Sequence, residues 1–164
     1  MKNVFISHSP KETEELGAKL AKTLQGGQVV ALYGDMGMGK TVFVRGMASI
    51  LSPHSETQSP TFALVHVYPG KPDLVHFDMY RISSWEDLYS TDFFEYIDAG
   101  SIVVTEWSEN IENAIIGIEN LDEDIKIDDS KFEFVTFKKL VVFGDSKVGK
   151  SCLLQRLENG QFLE

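Results

Sequence analysis

The stretch GDMGMGKT, residues 34–41, constrains this chain more than any other. It fits the pattern G-x-x-x-x-G-K-[ST]. It follows QVVALY, a short β-branched apolar run of the kind that forms a strand buried on both faces. It precedes TVFVRGMASIL, whose apolar residues recur at helical spacing. Strand, glycine loop, helix is the setting in which successive backbone N–H groups can converge on a phosphate. Gly34, Gly37 and Gly39 let the backbone approach an anion closely. In such a loop Lys40 reaches β- and γ-phosphates and the Thr41 hydroxyl reaches Mg²⁺. Asp35, Met36, Met38 and Val42 complete the expected nucleotide-contacting set.

The remaining pattern surrounds this unit with a single α/β fold of the P-loop NTPase type. Its sheet is expected to be mixed, largely parallel and flanked by helices. Ser9-Pro10-Lys11-Glu12 is a helix start, with Ser9 as cap, and Leu16, Leu20 and Leu24 then repeat every four residues. FALVHVY and LVHFDMY flank the turn PGKPD, so they read as a hairpin. SSWEDLYSTDFFEYI reads as a helix broken near residues 90–92, and SIVVTEW as another buried strand. Residues 117–137 hold seven Asp/Glu against two Lys, and DIKIDDSKFEFVTF within them alternates like an edge hairpin.

A phosphate loop also needs acids that hold Mg²⁺ and orient water. Two stand at strand ends, Asp78 closing LVHFD and Glu106 closing SIVVTE. In an open α/β sheet the ligand crevice lies at the carboxyl ends of the strands, so both acids face the phosphates. Lys40, Asp78 and Glu106 are therefore the expected catalytic residues. Thr41, Glu106, Asp78 and Thr61 are the expected Mg²⁺ set, Thr61 through the Ser59-Pro60-Thr61 segment after the TVFVRGMASIL helix, which reads equally as an ordinary Ser-Pro turn. Trp107, directly after Glu106, is placed to wall the nucleotide. Arg45 and Arg81 are the nearest arginines, and each has an ordinary surface ion pair as its alternative role.

Composition limits the function classes. Across 164 residues the net charge is -10, which disfavours direct clamping of a nucleic acid. Any role in a nucleic-acid pathway is then expected to run through a protein partner. No apolar run approaches the roughly 20 residues of a membrane span. A single cysteine, Cys152, fits a reducing, cytoplasmic setting and excludes both an internal disulfide and a cysteine-rich zinc site. His8, His54, His66 and His76 show no ligand spacing and read as structural or surface residues.

GDMGMGKTVFVRGM, SPTFALVHVY, HFDMYR and VTEWSEN, in this order, resemble the TsaE family of P-loop ATPases of tRNA threonylcarbamoyladenosine biosynthesis. The likeness runs from about residue 9 to 113, and weakly to 137. The resemblance implies a compact domain that binds ATP and Mg²⁺ and hydrolyses ATP slowly. It implies action in a complex with TsaB and TsaD, with tRNA engaged only through that complex. By it, Lys40 and Thr41 match the phosphate and Mg²⁺ residues, Asp78 and Glu106-Trp107 the acidic motifs, and Thr61 the switch-like segment. Two positions depart from the family. Met38 replaces a small residue, so a bulky side chain is expected near the phosphates. Asp92 stands where the family often has glycine. A binding module in which ATP only orders a loop for a partner remains an alternative to hydrolysis.

A second match to the glycine-loop pattern, GDSKVGKS, occupies residues 144–151. With its flanks it resembles the first strand, P-loop and helix of Ras- and Rab-like small GTPases over about 27 residues. The guanine-reading NKxD segment of those GTPases is absent from the chain, and 13 residues follow the loop. The expected division is thus a TsaE-like domain over residues 1–137 and a strand-loop-helix segment over 138–164. That segment reads as an appended orphan motif, as a native terminal strand and helix, or as a second nucleotide site, which would bind GTP if it works alone.

Overall fold

The computed structural model describes residues 2–55, 63–111, 136–143 and 152–157. Among the described residues seven strands form one sheet, in the order β1-β7-β6-β2-β5-β4-β3. They are β1 Lys2–Ser7, β2 Gln28–Tyr33, β3 Val65–Tyr68, β4 Leu74–Asp78, β5 Ile102–Glu106, β6 Thr136–Phe143 and β7 Cys152–Leu157. The centre, β6-β2-β5-β4, is parallel, and both flanks turn antiparallel. The mixed α/β architecture expected from the sequence is therefore present.

Strand alternation sorts the core into two layers. Val30, Leu32, Leu74, Ile102 and Val104 point to one face and pack against helices α1 (Pro10–Ala21) and α2 (Lys40–Leu51). Val29, Val75, Phe77 and Val103 point to the other and meet α3 (Trp85–Tyr89) and α4 (Phe93–Asp98). The period of two makes this division, since neighbouring residues on a strand face opposite ways.

Helix α1 starts as its sequence demands. Ser9 Oγ accepts from Glu12 N at 3.2 Å, Pro10 opens the helix, and the Glu12 carboxylate reaches back to His8 N at 2.7 Å. It crosses α2 at two glycines. A Cβ on Gly17 would collide with the Phe43 carbonyl, and one on Gly46 with the Glu14 carbonyl. The helix backbones touch there, which fixes α2 and hence the loop that precedes it. Between α3 and α4, Asp92 takes the left-handed conformation at φ 57°. Asp tolerates that region better than most side chains, so it serves where glycine would be easier.

Three features differ from the sequence reading. KNVFIS forms strand β1, paired with β7. Cys152–Leu157 is a strand antiparallel to β6, where a helix was expected. CLLQRL is a short, mostly apolar run, and such runs satisfy either helix or strand until a partner decides. Here β1 and β6 supply partners on both sides. The expected boundary at 137/138 falls inside β6, which pairs with β2 from Gln28↔Thr136 to Tyr33↔Val141. The acidic stretch up to residue 135, Thr61 and residues 144–151 lie outside the described residues.

Candidate nucleotide site

Helix α2 begins without the devices that finish α1. Its cap is Gly39, left-handed at φ 91°, with no side-chain cap and no acid in the first turn. The N–H groups of Lys40, Thr41 and Val42 therefore lack intrahelical acceptors, and the helix dipole there favours an anion. Gly34 (φ 127°) and Gly37 (φ 82°) also hold positive φ, a path the loop could not follow with bulkier residues. A Cβ on Gly37 would meet nothing within 4 Å, so this side of the loop is open.

Lys40 is 4% exposed and lies folded against its own loop. Its Nζ donates to the Gly34 carbonyl and, at 2.8 Å, to the Asp35 carbonyl. An ammonium has three N–H donors, so one remains beyond these two bonds. Nζ also sits 4.7 Å from the centroid of the Trp107 ring. Burial lowers the Lys40 pKa, and the charges of Glu106, Glu109, Asp35 and Asp78 only partly restore it.

The acids arrive by register. Asp78 and Glu106 are paired residues on adjacent parallel strands, and both are buried. By alternation they share a face with Leu74 and Val104, the face that α2 covers. Glu106 Oε1 accepts from Thr41 Oγ1 at 2.9 Å and from His76 Nε2 at 3.0 Å. Burial alone would raise the Glu106 pKa. The hydrogen bond and charge of His76, the Thr41 hydroxyl and the Lys40 charge outweigh it and hold the carboxyl below its usual range. Asp78 Oδ1 accepts from Tyr80 N at 3.0 Å and so caps the short 3₁₀ turn Met79–Arg81.

The turn after β5 is tied to β2 and to the 3₁₀ turn that follows β4. The Ser108 hydroxyl lies 3.0 Å from the Leu32 carbonyl on β2, and Asn110 Nδ2 donates to the Met79 carbonyl at 2.8 Å. Directly before these ties Trp107 is held at φ 58°, an outlier for so bulky a residue. Such strain costs about 1–3 kcal/mol and persists only where the surroundings over-determine it. Its outcome is the ring beneath Lys40, flanked by the exposed Tyr80 at 5.2 Å between centroids.

The sequence-expected residues Gly34, Asp35, Gly37, Gly39, Lys40, Thr41, Val42, Asp78, Glu106 and Trp107 thus gather at one end of the sheet. Met36 projects outward, 74% exposed. At Met38 the structure adds a contact that the sequence reading did not foresee, because its side chain is partly buried against the α1–α2 core. Arg45 pairs with Glu14 at 3.0 Å across α1 and α2, the surface ion pair that was its alternative. Two residues were missed. His76 was read only as one histidine of four. Glu109 sits in the turn after Trp107, acts on the Lys40 charge and has a buried, unpartnered Oε2. The period of two relative to Asp78 was the available signal for His76.

Among the described residues no group of three or more His, Cys, Asp or Glu closes around a metal position. A Thr hydroxyl beside one or two carboxylates still fits Mg²⁺, which takes few protein ligands and completes its shell with phosphate and water.

The model of the family described as "Threonylcarbamoyl adenosine biosynthesis protein TsaE" matches residues 7–140. The chain belongs to the TsaE family. Among curated relatives, the TsaE protein of Treponema pallidum is 38% identical over 65% of this chain and 78% of its own. That of Aquifex aeolicus is 37% identical over 72% of this chain and 87% of its own. Both are described as tRNA threonylcarbamoyladenosine biosynthesis proteins. The crystal structure of Bacillus subtilis YdiB has the same fold, with a TM-score of 0.64 at 23% identity over 95% of this chain and 84% of that one. The TsaE family match ends inside β6, so β7 lies beyond it.

Proposed function

We propose that this TsaE-family chain is an ATP-binding, slowly ATP-hydrolysing factor of tRNA threonylcarbamoyladenosine biosynthesis. It works in the cytoplasm with TsaB and TsaD and meets tRNA only through that complex. Family membership supports the pathway. The net charge of -10 supports contact with tRNA through partners. No helix among the described residues is long and apolar enough to cross a membrane.

One observation carries the chemistry: Thr41 Oγ1 and Glu106 Oε1 meet at 2.9 Å beside an uncapped helix start. The Thr41 hydroxyl spends its proton on Glu106, so its lone pairs are free to face a cation. The loop N–H groups and Lys40 would bind and orient the phosphates. Bound Mg²⁺ would neutralise charge that develops on the transferring phosphoryl group. Thr41 and Glu106 would hold that cation, Asp78 with Glu106 would orient the attacking water, and Trp107 would shield Lys40 from solvent. Positioning and fixed charge then supply most of the rate, as phosphoryl transfer generally requires.

The test is ATP turnover by the protein alone and with TsaB and TsaD added. Turnover should be slow alone, rise with the partners and fall at least 100-fold in Lys40→Ala. Unchanged turnover in Lys40→Ala would sink the reading.

A further inference from the structure

His76 is fully buried in β4, at a level of the sheet where its face neighbours Leu74 and Val104 are apolar. An imidazole is a costly choice there, since a buried polar atom without a partner loses its hydration for nothing. Nδ1 has no hydrogen-bond partner. The ring packs beside the buried Tyr68, 6.5 Å between centroids and 27° from parallel. Only Nε2 is used, and it is used on Glu106 Oε1 at 3.0 Å. A carboxylate can only accept, so His76 donates. Oε1 is then held from two sides, by His76 out of the sheet and by Thr41 from the helix. Two donors on one oxygen fix the plane of the carboxylate.

We propose that His76 is a positioning residue that aims the Glu106 carboxylate at the divalent cation accompanying the nucleotide. It does not touch the cation. Outer partners of metal-binding groups commonly set ligand orientation, and their loss costs about 10- to 100-fold in metal affinity. The inference rests on the reading of Thr41 and Glu106 as the Mg²⁺-holding pair.

The experiment measures ATP affinity by calorimetry in Mg²⁺ and again in EDTA, so that the gain due to the cation is read directly. His76→Leu should lose about tenfold or more of that gain while its affinity in EDTA is unchanged. His76→Gln, whose amide can place a donor near the Nε2 position, should recover most of it. His76→Asn, whose donor lies near the Nδ1 position, should not. The Gln and Asn variants are both polar, so their contrast decides the matter if His76→Leu does not fold. A wild-type gain in His76→Leu or His76→Asn overturns the proposal. So does an equal loss in Mg²⁺ and EDTA, which marks a merely structural role. Glu106→Gln is the control: if it keeps the full gain, the cation-site reading itself fails.

Discussion

Helices α1 and α2 have the same length, 12 residues, and pack backbone to backbone, yet they begin in opposite ways. The start of α1 is closed by Ser9, Pro10 and Glu12: Pro10 brings no N–H, Glu12 N donates to Ser9, and His8 N donates to Glu12. The start of α2 is left open, on a left-handed glycine with no cap and no acid. A side-chain N-cap is worth about a few tenths of a kcal/mol more than glycine, and α2 forgoes it. Such an omission at a packed helix end is what an anion site requires, because the orphan N–H groups stay available to a ligand. The first helix is finished for folding; on the proposed function, the open start of the second serves binding.

The strongest way to break this contrast is to disarm the open end without disturbing its packing. Glu106→Gln removes the charge that faces Thr41 at 2.9 Å and should cut ATP turnover by about 100-fold. ATP binding in EDTA should survive, as followed by calorimetry. Retained turnover would leave Glu106 a structural partner of Thr41 and His76 with no part in hydrolysis. The next lever is the crossing that positions the open end. Gly46→Ala drives a Cβ into the Glu14 carbonyl, an overpacking of about 1–3 kcal/mol, read as a lower midpoint in urea. The loop should lose ATP affinity with it.

Acidity sharpens the contrast further. The Glu106 carboxyl is held below its usual range in the fold, so its ionised form stabilises the protein above that range. The contribution disappears as pH falls through the lowered value. In nucleotide-free protein, Glu106→Gln should therefore flatten the acid side of the stability curve, measured by urea midpoints between neutral and acid pH. The smallest effect belongs to the closed end. Ser9→Ala should cost about 1 kcal/mol of stability and leave ATP affinity unchanged.

Most of this contrast was legible in the sequence because it is local. Ser-Pro-x-Glu, the glycine spacing and QVVALY each specify their own few residues. Strand β2 spans the stretch the pattern predicts, and the helix broken near residues 90–92 appears as α3 and α4. Asp78 and Glu106 were legible because a rule about strand ends applies to them. What escaped reading depends on distant partners. KNVFIS becomes a strand only against β7, some 150 residues away, and CLLQRL only between β1 and β6. His76 gains its meaning from Glu106 on the neighbouring strand, and Met38 from a core assembled elsewhere.

The same lesson applies to the second glycine motif. Its pattern is as complete as the first, but the strand Cys152–Leu157 follows it where α2 follows the first, and β6 precedes it. A phosphate loop draws its function from a helix start and from acids on neighbouring strands. Asp78 and Glu106 stand with GDMGMGKT. The central claim is therefore that one loop of the two is a nucleotide site. Calorimetry with ATP and with GTP, both with Mg²⁺, on the full chain and its Lys40→Ala and Lys150→Ala variants tests it most directly. The account predicts ATP binding that is lost in Lys40→Ala and intact in Lys150→Ala. Tighter binding of GTP, lost in Lys150→Ala and intact in Lys40→Ala, would contradict it.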